Sequence, residues 1–121
     1  MKADTSEIKG FHAHVYFDPA APASRDAAAR VREGLSARFE VQLGRWHDKP
    51  IGPHPQAMYQ VKFLPDQFGT VVPWLMLNRK GLNVLVHPET GDDVGDHSDR
   101  ALWLGEKLEL DLEFLRRARP T

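Results

Sequence analysis

Residues 11–18 read FHAHVYFD, and their period-two alternation of aromatic and β-branched positions predicts a half-buried strand. Phe11, Ala13, Val15 and Phe17 then face a core, while His12, His14 and Tyr16 share the opposite face. Alternate residues of a strand stand about 7 Å apart at Cα, so the two imidazoles are neighbours on a stiff surface. Such a pair makes either a metal site or a polar patch.

Working outward, Asp18-Pro19 ends the strand, and residues 20–39 take on a helical period. Ala28, Val31, Leu35 and Phe39 line one face, Arg25, Arg30, Arg32 and Glu33 point to water, and the expected N-cap is Ser24, with a start nearer Ala21 as the alternative. A second strand is expected over 39–45, with Phe39, Val41 and Leu43 on one side and Gly44-Arg45 ending it. Residues 46–56, WHDKPIGPHPQ, form a loop stiffened by Pro50, Pro53 and Pro55 that carries His47 and His54. A third strand over 58–63 turns Tyr59, Val61 and Phe63 inward. A second helix is expected over 70–78, where Pro73 fits only in the first turn and Gly81 suits the C-cap. In a fourth strand over 82–87, Leu82, Val84 and Val86 face the helices while Asn83, Leu85 and His87 face away. Beyond a polar turn, Ser98 or Asp99 is expected to cap a short helix over 101–105, and residues 108–112 to add a strand or a helix. Arg116, Arg117 and Arg119 make a solvated face.

The order β-α-β-β-α-β with a C-terminal extension predicts an α+β fold, a ferredoxin-like βαββαβ sandwich forming a single domain over residues 1–121. The first and third strands are central there, the fourth borders the first, and both helices cover one face. The other face carries His12, His14, Tyr16, Gln42, Met58, Gln60, Lys62, Asn83, Leu85 and His87. A surface of that mixed character calls for a cover, either the C-terminal segment or a second subunit, so a homodimer is expected.

Composition narrows the chemistry. A hydrophobic content of 41% with 27% charged residues is that of a globular chain. A formal net charge of -1 removes general attraction to nucleic acid or to acidic membranes. With no cysteine, any metal must be held by histidine, carboxylate or water. The N-terminal residues lack the apolar run of a signal peptide, and no segment approaches the roughly 20 apolar residues of a spanning helix. The expected location is the cytoplasm.

Because the first and fourth strands are expected to be antiparallel neighbours, His87 should approach His12 or His14. Three imidazoles on one rigid face fit zinc or a non-haem Fe(II). A single histidine there would more often be structural; three together favour function. His54 and His47 are placed to complete the site or to act as acid and base at its mouth, and Asp96-His97 has the form of an oriented acid–base pair. There is no HExxH and no glycine-rich phosphate loop. His87-Pro88-Glu89 imitates the HxE of zinc deaminases without their cysteine pair, and Val94 breaks the spacing of a calcium hand. Trp74, Trp103 and Tyr59 are read as core.

Four segments, HAHVYFD (12–18), GRWHDKPIGPHP (44–55), PWLMLNRKGLNVLVHPETGDD (73–93) and DHSDRALWLG (96–105), together resemble the DOPA 4,5-dioxygenase family of extradiol ring-cleaving enzymes. The resemblance runs over residues 12–112 and implies a ferredoxin-like fold and O2-dependent opening of a catechol at Fe(II), for which zinc or another divalent ion can substitute in a purified sample. It implies His12, His14 and His87 as metal ligands, His54, His47 and His97 as acid–base groups, and Tyr16 and Arg45 as substrate contacts. Most extradiol sites use two histidines and a carboxylate. Glu89 or Asp96 could supply the carboxylate, the site could be all histidine, and His54 could replace His12 or His14. The competing readings are a non-catalytic module binding a metal or small ligand on the same face, and a dimerisation domain.

Overall fold

The computed structural model describes residues 4–118. It is an α+β fold with a five-stranded antiparallel sheet in the order β2-β3-β1-β4-β5. The strands are β1 (Gly10–Tyr16), β2 (Gln42–Leu43), β3 (Met58–Phe63), β4 (Val84–Glu89) and β5 (Leu102–Leu104). The helices are α1 (Pro22–Arg38), α2 (Phe68–Asn78), α3 (Asp93–His97) and α4 (Leu112–Ala118). No described helix is long and apolar enough to cross a membrane.

The two faces of the sheet have different fates. On one, Ala13, Val15, Tyr59, Val61, Phe63, Val84 and Val86 meet Ala28, Val31 and Leu35 of α1 and Val71, Val72 and Leu75 of α2. This is the core that the alternation in β1 and β3 and the period of α1 predict, and Tyr59 adds a bond from its hydroxyl to the Ala28 carbonyl at 2.8 Å. On the other face, Tyr16, Met58 and Leu85 are covered by Ala101, Trp103, Leu108 and Leu110. The C-terminal segment therefore supplies the expected cover over one end of this face.

Several local expectations are corrected. Of the two expected starts of α1, the one at Ala21 is found: Ala21 is the N-cap, Pro22 opens the helix, and Ser24 Oγ instead accepts the backbone N–H of Asp18 at 2.8 Å. A proline pre-set for the first turn outcompetes a side-chain cap here. The second helix begins at Phe68, behind a 3₁₀ turn over Pro65–Gln67, so Pro73 lies in its interior. Pro73 and Gly69 are both exposed, which leaves the carbonyl deprived of its intrahelical donor free to bond water. Helix α2 ends at Asn78 with Arg79, not Gly81, as its C-cap, and Lys80 and Gly81 both take left-handed backbone, with φ of 54° and 77°. Residues 101–105 are not helical: Leu102–Leu104 is β5, drawn out by pairing with Val84, Leu85 and Val86, and the short helix lies earlier, at α3. Residues 108–111 are neither strand nor helix. Arg116 and Arg117 are exposed, as expected, and Arg119 falls outside the described residues.

β2 is shorter than expected at both ends: Phe39 is still the C-cap of α1, and past Gly44 the ladder to β3 carries a bulge. Gly44 N–H donates to Gln60 at 2.7 Å, while His47 exchanges both backbone bonds with Met58 at 3.0 and 3.1 Å. Arg45 and Trp46 thus oppose the single residue Tyr59, the count of a β-bulge. The extra residue flips the phase, so Trp46 turns inward to stack on Tyr59, ring centroids 5.6 Å apart, and His47 shares the face of Met58.

Candidate metal centre

β1 presents His12 and His14 one strand repeat apart, and β4 pairs His87 directly opposite His12. Register alone therefore brings three imidazoles together, as the sequence predicts. The His54 loop comes over this surface, held by the Asp111 N–H donating to the Pro53 carbonyl at 2.9 Å and by Phe114, which packs on Gly52. Gly52 has φ of 60°, a left-handed turn suited to glycine. His97 arrives on α3, whose N-cap Asp92 accepts the Gly95 N–H at 3.1 Å. Buried Asp96 fastens this helix by accepting from Thr90 N–H and Thr90 Oγ1, both at 2.8 Å.

Five of the six histidines thus lie ring to ring. His14 and His54 are 4.2 Å apart by centroids, His87 and His97 4.0 Å, and His12 and His87 5.2 Å. Two triplets, His12/His14/His87 and His14/His54/His97, each bring one nitrogen per residue within 4.8 Å of the others. His47 lies just past the bulge, paired with Met58, and makes no hydrogen bond or ring contact with His54 among the described residues.

Hydrogen bonds specify which nitrogens are bare. His87 Nδ1–H donates to the Pro88 carbonyl at 2.9 Å and His97 Nδ1–H to the Asp93 carbonyl at 2.7 Å, so in the neutral ring Nε2 is the lone-pair nitrogen of each. His12 Nε2–H donates to Glu89 Oε1 at 2.9 Å, leaving Nδ1 bare. His14 Nε2 stands 3.1 Å from His87 Nε2, and its own Nδ1 is buried without a partner. With its proton on Nε2, His14 bonds His87; with the proton on Nδ1, two lone pairs face one point. Two nitrogens each about 2.1 Å from one ion and at right angles to each other would stand about 3 Å apart, so the donor set fits a divalent cation.

Burial keeps these rings neutral. It pushes His87 down to about 3, helped by His97 and opposed by the bond to Pro88. It pushes His54 down to about 4, helped by His97 and His47. His14 falls well below the ordinary value through burial and then through His54 and His87. His12 is lowered by burial, with Glu89 opposing. Burial likewise raises Tyr16, which stays a neutral phenol.

The other expected groups fall as follows. Tyr16 is 1% exposed, stacked on Trp103, with its hydroxyl 2.7 Å from His54 Nδ1, so it offers almost no surface to a substrate. Arg45 is the exposed residue of the bulge and makes no ion pair among the described residues. Asp96 serves Thr90 and Arg100 rather than orienting His97, and Glu89 serves His12 and Lys62. Trp74 and Tyr59 pack in or against the core, whereas Trp103 also lines a cavity of about 380 Å³ with His97, Leu108, Leu110 and Lys107. The carbonyls of Pro88 and Asp93, which set two of the imidazoles, leave no mark in sequence because any residue carries one.

A model of the Dopa 4,5-dioxygenase family matches residues 11–114. The chain belongs to that family. It is 38% identical to a DOPA 4,5-dioxygenase of Amanita muscaria over 91% of its own length, although it spans only 51% of that enzyme. It is 41% identical to an uncharacterised 21.2 kDa protein of Botryotinia fuckeliana, covering 93% of this chain and 67% of that one. A crystal structure from Nostoc punctiforme, provisionally named a dioxygenase, superimposes with a TM-score of 0.92 at 72% identity, covering 98% of this chain and all of that one. Family membership and the name of the Amanita relative point to a dioxygenase, and the histidine group is one that could hold a metal.

Proposed function

We propose that this chain is an extradiol dioxygenase that opens the ring of a DOPA-like catechol with O2, at Fe(II) held by His12, His14 and His87 on a ferredoxin-like sandwich. The observation that carries the proposal is the meeting of three ring nitrogens within 4.8 Å, from two adjacent strands, in a chain of this family. Bound Fe(II) would supply open positions at which a catecholate and O2 can meet. His97, with Nε2 bare and its ring fixed by the Asp93 carbonyl, is the base for a catechol hydroxyl proton. The cavity beside it, walled by Trp103, Leu108 and Leu110, is within the usual range for a small-molecule site. His54 and His47 remain acid–base candidates, and Arg45 a candidate partner for a substrate carboxylate at the rim.

The same proposal includes a single domain over residues 1–121, a homodimer and a cytoplasmic setting, the dimer being open to light scattering. The decisive assay is anaerobic loading with Fe(II), followed by O2 and a panel of catechols. Oxygen uptake and a yellow semialdehyde are expected. Metal retention without uptake across the panel would refute the enzymatic reading and favour a metal-binding module.

A further inference from the structure

Within the cluster, His54 is oriented differently from its neighbours. His87 and His97 each give their Nδ1 proton to a backbone carbonyl, a group that only accepts. His54 Nδ1 instead meets a hydroxyl, that of Tyr16, at 2.7 Å. A hydroxyl can donate or accept, and the surroundings decide which. Tyr16 is 1% exposed, its ring is stacked on Trp103 at 5.9 Å and 17°, and His54 Nδ1 is its hydroxyl's sole partner among the described residues. If His54 donated, the Tyr16 O–H would be a buried donor with no acceptor, an arrangement that folded proteins avoid.

We propose that Tyr16 is a positioning residue whose hydroxyl donates to His54 Nδ1, fixing His54 as the Nε2–H tautomer and making it a hydrogen-bond donor toward the ligand space. This rests on the reading of the histidine cluster as a metal site and refines it. His54 Nε2 has no partner among the described residues, and one nitrogen of His54 lies within 4.8 Å of nitrogens of His14 and His97. An Nε2 that carries a proton has no lone pair for a cation. The bond from Tyr16 occupies His54 Nδ1 and so disfavours the triplet containing His54, whereas His14, whose Nδ1 has no partner, can carry its proton there and leave Nε2 to the triplet with His12 and His87. His54 and His97 become complementary: one offers N–H to an anionic substrate oxygen and the other offers a lone pair to a hydroxyl proton. Tyr16 itself does not touch substrate.

The test is nitrogen NMR of the whole chain labelled with ¹⁵N-histidine, first metal-free and then with zinc, which is redox-inert. A proton on His54 Nε2, an Nδ1 coupled to the Tyr16 hydroxyl proton, and zinc shifts confined to His12, His14 and His87 are expected. A proton on His54 Nδ1, or loss of the Nε2–H signal when zinc binds, would overturn the proposal. If zinc does not bind, the metal reading fails, while the position of the His54 proton still decides the role of Tyr16. Tyr16→Phe keeps the stack on Trp103 and should bind zinc at unchanged stoichiometry, lose the fixed His54 tautomer, and lower kcat about tenfold or more with KM within about twofold. A raised KM at unchanged kcat would make Tyr16 a substrate contact and overturn the assignment. Should that variant fail to fold, the wild-type spectra alone decide.

Discussion

Acid should unfold the metal-free chain at a pH well above that at which carboxylates protonate. His87 and His54 are held near 3 and near 4 in the fold, and His14 far below its usual value, because burial disfavours their charged forms. The unfolded chain returns each to about 6.5. The folded values being lowered, the unfolded state binds more protons, so the stability these groups contribute is complete above about pH 6.5 and is lost as pH falls toward the folded values. Between pH 7 and pH 5, each such histidine removes about 2 kcal/mol. Acting independently, the three would remove about 6 kcal/mol, comparable with the whole stability of an ordinary domain.

Urea unfolding followed by tryptophan fluorescence measures this directly, since Trp46 stacks on Tyr59 and Trp103 on Tyr16, one on each face of the sheet. Midpoints should fall steeply from pH 7 to pH 5, and the slope below about pH 6 should correspond to the uptake of about three protons, near 4 kcal/mol per pH unit. Saturating zinc should raise the midpoint most near pH 7, where protons compete least for the same nitrogens. A midpoint unchanged between pH 7 and pH 5 would refute the reasoning, because it would mean that the imidazoles are already charged in the fold or still wet.

Two further outcomes follow from named contacts. His87→Ala removes the nitrogen 3.1 Å from His14 Nε2 and should abolish metal retention measured by elemental analysis, with the far-ultraviolet circular dichroism unchanged; full occupancy would remove His87 from the ligand set. At Gly34 an added Cβ would stand 2.6 Å from the Trp74 ring, so Gly34→Val should cost about 2 kcal/mol in thermal or urea unfolding, and an unchanged midpoint would show that Trp74 can swing aside.

Much of this arrangement is legible in the sequence because the strong signals are periodic. The alternation from Phe11 to Phe17 places the core and the histidine face correctly, and Tyr59, Val61 and Phe63 do the same for β3, whose bounds agree residue for residue. The positions of Ala28, Val31 and Leu35 fix the buried stripe of α1. What the sequence does not reveal depends on a partner. The bulge at Arg45-Trp46 is visible only against Tyr59, and β5 is a strand only because β4 has an open edge beside Val84. His97 is flagged by its neighbour Asp96, but for the wrong reason. Asp96 is committed to Thr90 and Arg100, and it is the Asp93 carbonyl that orients the ring. Asp92-x-x-Gly95, an N-cap carboxylate with its backbone donor three residues ahead, is the signal that could have placed α3.

The choice of orienting groups carries a chemical consequence. A carboxylate behind an imidazole holds its tautomer but also favours the charged ring, as Glu89 does for His12 at the half-buried rim. A carbonyl holds the tautomer without a full negative charge. His87 and His97 are held by carbonyls, which set the ring without adding a negative charge beside it. Five rings this close could not all be protonated, and every added positive charge would lower its neighbours further, as His97 does to His87 and His54, and His54 and His87 do to His14. The cluster therefore keeps its lone pairs at neutral pH through burial and crowding, and a divalent cation is the species whose arrival turns that crowding from repulsion among would-be cations into coordination.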